Sequence, residues 1–421
     1  MKKLYFIILN LLIVTSMPAQ TNFETAFSLY ENEKYFELIK FYNLHEKSFD
    51  EKESDILKGL ILSLQNKPEK SNEILKKFQN TGNLDYNKIK SILLSMVNNY
   101  VHLYDYKSAS EITDYYLKNY SNKILPKDKE EVENSQIIWK GFSETQPQEI
   151  IYTGTKKINY TKDIAGLMNI KVKSNNEDSE FVFDTGANFS TVTKSTAEKL
   201  KMKFVKGKIK VGTITGIKVD GELSYAEEFY IQDVLCKNVL FLVLPDETLS
   251  FGGGIYKISG IIGLPLIKDL GELIINKDGY MNISKVSNSS EFQNLLLDGF
   301  TPVIEVIYNN DSLDFTFDTG ARQTLLYYPF YEKYKTFVEK NYEVTEVKFG
   351  GAGGEKVFKG YKIDKLKFSI GNSKGDLEDI SLIKEIIKDD KKKMFGNLGQ
   401  DYIKQFDNML INFKDMKVNF Y

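Results

Sequence analysis

The chain has 421 residues, with 56 basic and 58 acidic side chains, a formal charge of -2 and a hydrophobic content of 42%. That balance leaves no field to hold nucleic acid or an anionic membrane, and the length suits about three domain-sized units. One cysteine, Cys236, permits no internal disulfide, and the two histidines, His45 and His102, supply no zinc-binding cluster, so stability has to come from apolar burial.

In chain order, Lys2 and Lys3 precede an apolar run over 4–14, and small residues end at Ala19. Residues 1–20 therefore read as a secretory signal, too short in its apolar part to span a bilayer. The mature protein is expected to be exported, periplasmic or secreted, with no transmembrane anchor after cleavage. Over 21–145 the apolar period is helical: Phe23, Ala26, Phe27 and Tyr30 share one face, as do Ile89, Ile92, Leu93, Met96 and Tyr100. Polar breaks at 66–68, 81–83 and 105–107 separate the helices, and pairs such as 89–104 with 108–120 weakly resemble tetratricopeptide hairpins. Such an array either binds a protein partner or only packs on the rest of the chain.

The polar segment 143–148, with Pro147, marks a boundary after which apolar residues alternate as in strands, for example Ile170 with Val172 and Phe181 with Phe183. Residues 195–202 read as a short helix, 287–299 as a helical connector, and the lysine-rich run 384–393 as a solvated helix end or loop. Two β-rich units result, 150–286 and 300–421. Together they are expected to own a separate core and to fold without the helices.

These units repeat each other. Phe181-Val182-Phe183-Asp184-Thr185-Gly186-Ala187 returns 134 positions later as Phe315-Thr316-Phe317-Asp318-Thr319-Gly320-Ala321. Upstream, Asn175-Asn176 matches Asn309-Asn310, a pair suited to hairpin turns. Downstream, Gly260-Ile261-Ile262-Gly263 matches Gly396-Asn397-Leu398-Gly399, and Leu273-Ile274-Ile275-Asn276 matches Met409-Leu410-Ile411-Asn412, both at a shift of 136. A single Asp-Thr-Gly is an ordinary strand-ending turn. Two in register within a repeat this long indicate a duplicated domain.

On these motifs the segment 150–421 resembles the aspartic proteases of the pepsin and retroviral (retropepsin) superfamily in a tandem, single-chain form. The resemblance implies a multidomain chain, all-α helical hairpins followed by a mostly β, bilobal acid-protease fold, acting as a monomer with an intramolecular pair of carboxylates. It implies that Asp184 and Asp318 are catalytic, that Thr185 and Thr319 tie the lobes together, and that Gly186, Gly320, Ala187 and Ala321 complete the loops. Ala187 and Ala321 stand where many pepsin-like members carry a hydroxyl, which points to a weakly acidic to neutral optimum. Two glycine-bearing segments, Gly212-Thr213 and Gly350-Gly351 with Gly353-Gly354, fall where the family has flaps over the substrate. No metal or organic cofactor is implied; the substrate would be a peptide or protein.

Rival chemistries fit poorly. Both histidines lie in the helical region, away from any serine or cysteine of the β half, and no Gly-Lys-Ser/Thr follows the glycine run to make a phosphate loop. A catalytically silent peptide-binding protein with a partner-binding helical domain is the alternative from another class. Arg322, the one arginine among 56 basic residues, directly follows the second Asp-Thr-Gly-Ala. Its planar fork suits either an ion pair with Asp401 or an acidic group on a substrate.

Overall fold

The computed structural model describes residues 21–82, 84–212, 218–286, 292–351, 354–386 and 393–421. The proposed signal, 1–20, lies outside them. Seven helices come first: α1 (Asn22–Glu31), α2 (Tyr35–His45), α3 (Glu51–Leu64), α4 (Pro68–Leu75), α5 (Tyr86–His102), α6 (Tyr106–Tyr120) and α7 (Pro126–Phe142). Four of these starts are set locally. Thr21, Asp50, Asp85 and Asp105 each accept a backbone N–H three residues on, and Glu53 closes a capping box on Asp50. The faces read from the sequence are the buried ones, with Ala26, Ile92, Leu93 and Met96 at zero exposure. A polar network, Asn99 Nδ2 to Ser71 Oγ (2.8 Å) and to Asn72 Oδ1 (2.9 Å), ties α5 to α4.

The first β half comprises β1 (Glu149–Ile151), β2 (Lys156–Lys162), β3 (Met168–Ser174), β4 (Glu177–Phe183), β5 (Thr191–Thr193), β6 (Lys203–Gly212), β7 (Lys218–Ile231), β8 (Val234–Leu244), β9 (Ser250–Phe251), β10 (Tyr256–Lys257), β11 (Gly260–Ile262), β12 (Glu272–Asn276) and β13 (Tyr280–Ser284). Its short helices are α8 (Lys194–Lys199), which begins one residue before the expected 195–202 and ends earlier, and α9 (Leu264–Ile267). The second half has β14 (Leu295–Asp298), β15 (Thr301–Tyr308), β16 (Asp311–Phe317), β17 (Leu325–Leu326), β18 (Thr345–Gly351), β19 (Gly354–Ile370), β20 (Ser373–Ile383), β21 (Gly396–Leu398), β22 (Asn408–Asn412) and β23 (Lys417–Phe420), with α10 (Tyr328–Lys333), α11 (Lys335–Asn341) and α12 (Gln400–Ile403). The connector expected as a helix over 287–299 is instead strand from Leu295 to Asp298: Leu295, Leu296 and Leu297 are all buried, and β14 pairs with β15. A continuous apolar run suits a strand covered on both faces.

Each half curls until its hairpin meets a distant strand, β3 with β7 and β15 with β19. Asn175-Asn176 and Asn309-Asn310 all have positive φ, 49° and 65° then 50° and 66°, as a two-residue hairpin of the right twist requires. The halves join through β12 and β22, where Ile274 lies opposite Leu410, its own repeat counterpart. A segment pairing with its copy is an isologous contact, so a two-fold relation runs through this seam. The seam makes one sheet continuous from β23 to β6.

The helices do not stand apart. Ile209 and Leu223 of the first half, and Leu296, Val303 and Met394 of the second, are buried in the same apolar core as the helical residues. Asp314 on β16 accepts the N–H groups of Tyr35 (3.1 Å) and Phe36 (3.2 Å), capping α2 from another domain. On the other side Asn134 of α7 both donates to Lys210 O (2.8 Å) and accepts from Lys210 N (3.2 Å), mimicking a strand along the edge of β6. Lys393 reaches Glu31 O and the Lys384 ammonium sits over the Tyr331 and Tyr361 rings, so these two lysines are docked, while Glu385 and Ile386 are exposed as a solvated run predicts. Its centre, 387–392, lies outside the described residues.

At this junction the His102 ring packs on Phe300 and bonds Gly299 O through Nε2 at 2.9 Å. Because a carbonyl only accepts, Nε2 carries the proton, and burial, with the Lys268 charge, pushes the imidazole down to about 3. The folded value lies below the unfolded one of roughly 6.5, so this stability is full above about pH 6.5 and is lost as pH falls toward 3. His102→Gln, which keeps a donor for Gly299 O, is expected to flatten the fall of Tm between about pH 6.5 and 4. Parallel Tm curves in this window for both proteins would count against it.

Candidate active site

β4 and β16 run buried to Phe183 and Phe317 and then turn. A parallel neighbour holds each turn, with Ile262 of β11 beside Phe183 and Leu398 of β21 beside Phe317. The ladders continue one bond past each strand, Asp184 N to Ile262 O and Asp318 N to Leu398 O, both 3.0 Å. The carboxylate following each apolar strand is thus fixed by backbone pairing before its side chain makes any contact.

The two turns meet back to back. Thr185 N–H donates to Thr319 Oγ1 and Thr319 N–H to Thr185 Oγ1, both at 3.0 Å. The hydroxyls donate onward across the seam, Thr185 to Phe317 O (3.0 Å) and Thr319 to Phe183 O (3.1 Å). Both threonines are fully buried and both hydroxyls satisfied, so the contact is rigid. Gly186 N–H bonds Asp184 Oδ1 and Gly320 N–H bonds Asp318 Oδ1, each at 2.8 Å. A Cβ on Gly186 would fall 2.5 Å from Asp318 Cγ, and one on Gly320 2.4 Å from Asp184 Cγ. Only glycine allows the two carboxyl groups to approach this closely. Ala187 and Ala321 serve through their carbonyls, which accept Leu264 N (2.8 Å) and Gln400 N (2.9 Å).

Asp184 and Asp318 share a side-chain hydrogen bond. Although open to the cleft, Asp184 is walled closely enough that burial, then the Asp318 charge and the shared bond, push it well above the usual carboxylate range, against the Gly186 and Gly320 N–H groups. Two carboxyl groups this close do not both ionise easily, and a pair sharing one proton can in principle take a proton from water and give one to a carbonyl oxygen.

A cleft of about 930 Å³ runs over the pair. Its first-half wall is apolar, with Leu167, Leu249, Phe251, Ile258 and Ile261; its second-half wall carries Arg322, Gln323, Thr324, Lys348 and Ser381. The Gly252-Gly253-Gly254 turn stands beside Phe251 as a structural connection. Of the two expected flaps, the β18–β19 hairpin alone borders the cleft among the described residues, through Lys348, Phe349 and Gly350, with Gly351 opposite Gly354. Gly212 lies at the end of the β6–β7 hairpin, opposite Lys218, and does not line the cleft. That hairpin is held from behind by α7, through Asn134 with Lys210 and Glu130 with Lys218. Thr213 and Gly353 lie outside the described residues. No residue of the helical region lines the cleft among the described residues.

The expected Arg322–Asp401 ion pair is absent. Asp401 sits in the first turn of α12 and spends Oδ1 on Thr324 N (2.9 Å), Thr324 Oγ1 (2.6 Å) and Tyr402 N (3.0 Å). Arg322 is exposed in the cleft wall, with no ion pair among the described residues. Three site residues escaped the sequence reading. Ser190 and Thr324, again 134 apart, accept the N–H groups of Gly263 (3.1 Å) and Gly399 (3.2 Å), a symmetry visible in the repeat. Asn397 donates Nδ2 to Asp318 Oδ2 at 3.0 Å, where the first half has Ile261. Its only signal was a polar residue at an apolar position of the repeat.

The site defines a class: a buried, threonine-locked carboxylate pair at the base of a peptide-sized cleft. Residues 170–266, which carry the first turn and Ile261-Ile262-Gly263, match the aspartyl protease family model, supporting an aspartyl protease domain and a peptide substrate. No curated protein matches the chain. Among the described residues, no cluster of three or more His, Cys, Asp or Glu is arranged to hold a metal, and no helix is long and apolar enough to cross a membrane.

Proposed function

We propose that the chain is an exported aspartic endopeptidase of bilobal, pepsin- and retropepsin-like build, hydrolysing peptide bonds with a water activated by Asp184 and Asp318. The observation that carries this is the reciprocal Thr185–Thr319 lock, which joins the two turns across the halves and sets the Asp184 and Asp318 carboxyls side by side. One carboxylate takes a proton from water as its oxygen adds to the scissile carbonyl carbon, while the other gives its proton to the carbonyl oxygen. The proton acquired from water then passes to the amide nitrogen as the C–N bond breaks, and the second carboxylate takes back a hydroxyl proton from the collapsing gem-diol, which restores the singly protonated pair. Purified protein incubated with a mixed peptide library across pH 3 to 8 tests it: internal cleavage that Asp184→Asn abolishes supports the reading, and intact peptides throughout reject it.

Arg322 and Lys348 are the only cations lining the cleft, and no carboxylate other than the pair lines it, among the described residues. With one proton on the pair, this wall favours a substrate bearing Asp or Glu on the second-half side of the scissile bond and an apolar residue on the other. Arg322→Gln is expected to lower kcat/KM about tenfold for peptides with Glu there, through KM, and to leave their Gln analogues unchanged; about tenfold corresponds to 1.4 kcal/mol. Equal effects on both peptides would remove the acidic preference.

A further inference from the structure

The two halves differ where symmetry would put identical environments on the carboxyls. Beside Asp184 the repeat positions are Val182 and Ile261; beside Asp318 they are Thr316 and Asn397, and all four line the cleft. Asn397 Nδ2 donates to Asp318 Oδ2 at 3.0 Å, and the Thr316 hydroxyl bonds Asn397 Oδ1 at the other end of the amide. Gln400 Nε2 braces the same loop from Thr319 O at 2.8 Å, where the first half has Leu264 in sequence.

We propose that Asn397, braced by Thr316, is a positioning residue that breaks the symmetry of the pair: Asp318 is the ionised partner that takes the proton from water, and Asp184, on the apolar side, is the protonated partner that hydrogen-bonds the scissile carbonyl oxygen. A donor aimed at a carboxylate favours its charged form, and apolar neighbours favour the neutral form of the other. The opposite amide orientation would turn Asn397 Oδ1 toward Asp318 and require the proton there, so the two arrangements predict opposite orders of titration. The other ionisable side chains lining the cleft are Arg322, Lys348, Tyr256 and Tyr327, with Asp163 bound behind Tyr256 at 2.6 Å.

This rests on the peptidase reading, so the test uses one readout that needs no turnover. Carboxyl carbons of Asp184 and Asp318 are followed by NMR against pH in full-length protein, in wild type, Asn397→Ile and Thr316→Val, each assigned by the corresponding Asp→Asn variant. Asp318 is expected to ionise first in wild type. In Asn397→Ile, which copies the first half, the gap between the two is expected to shrink by about one pH unit, and in Thr316→Val by less. The acid limb of kcat/KM should rise by a similar amount while KM changes less than about twofold, which a purely structural role would not produce. Asp184 ionising first, or a gap unchanged by either substitution, overturns the assignment. The expected order with no cleavage by wild type would reject the peptidase reading alone, and Thr316→Val carries the test if Asn397→Ile does not fold.

Discussion

Asp184→Asn and Asp318→Asn are each expected to reduce peptide turnover by at least about 10³-fold, and the double variant to be little worse than either single one. The pair works as a unit because one group must accept a proton from water while the other donates to the carbonyl, and an amide does neither. Fold should survive. Asparagine keeps an oxygen for the Gly186 or Gly320 N–H, now 2.8 Å from Oδ1, and removes one of two carboxyls that burial and mutual repulsion disfavour. Thermal melts within about 2 °C of wild type, corresponding to less than about 1 kcal/mol, would separate lost chemistry from lost structure. A single variant with near-normal activity would sink the assignment of the pair.

The second large effect concerns the helices. A fragment of residues 146–421 is expected not to fold as a soluble monomer, contrary to the independence that the boundary at Pro147 suggests. Removing α1 to α7 uncovers Ile209, Leu223, Leu296, Val303 and Met394, none more than 5% exposed in the whole chain. Re-exposing five such side chains costs on the order of 10 kcal/mol, as much as the whole stability of a typical domain. Asp314 and Asp298 would also lose Tyr35, which bonds them through its N–H (3.1 Å) and hydroxyl (2.7 Å). Expression of the fragment with circular dichroism and gel filtration decides it; a cooperative melt from a monomer would show that the β halves own a sufficient core. The helical array therefore has its partner in the same chain, and this packing fits the absence of any helical residue from the cleft wall.

The acidic-substrate preference and the docked first hairpin bear on one another. With β6–β7 held by α7, the hairpin that borders the cleft among the described residues is β18–β19, and it brings Lys348. Selectivity is thus expected to reside in the second half. Exchanging Lys348 or Arg322 should alter it far more than changes at Gly212.

Several features were legible along the chain because their causes are local. Helical period over 21–142, the polar breaks between helices, the paired asparagines at the hairpin tips and the Asp-Thr-Gly turns all depend on residues a few positions apart, and the repeat made each of the latter count twice. What the chain by itself could not reveal was which distant groups would face one another. Asp401 was open to Arg322 in principle but its Oδ1 is taken by Thr324 N–H and hydroxyl and by Tyr402 N–H; Gly212 sits in a hairpin of the right kind, but α7 holds that hairpin through Lys210 and Lys218 and Gly212 does not line the cleft; Leu295–Asp298 is apolar enough for a helix but is covered on both faces as a strand. Asn397 meets Asp318 only because β21 pairs in parallel with β16, 79 residues away in sequence. Local preferences set the pieces and both carboxylate turns, while long-range strand pairing and the shared apolar core selected their neighbours, since those contacts are worth more than any local propensity and exist only once the halves and the helices have closed on each other.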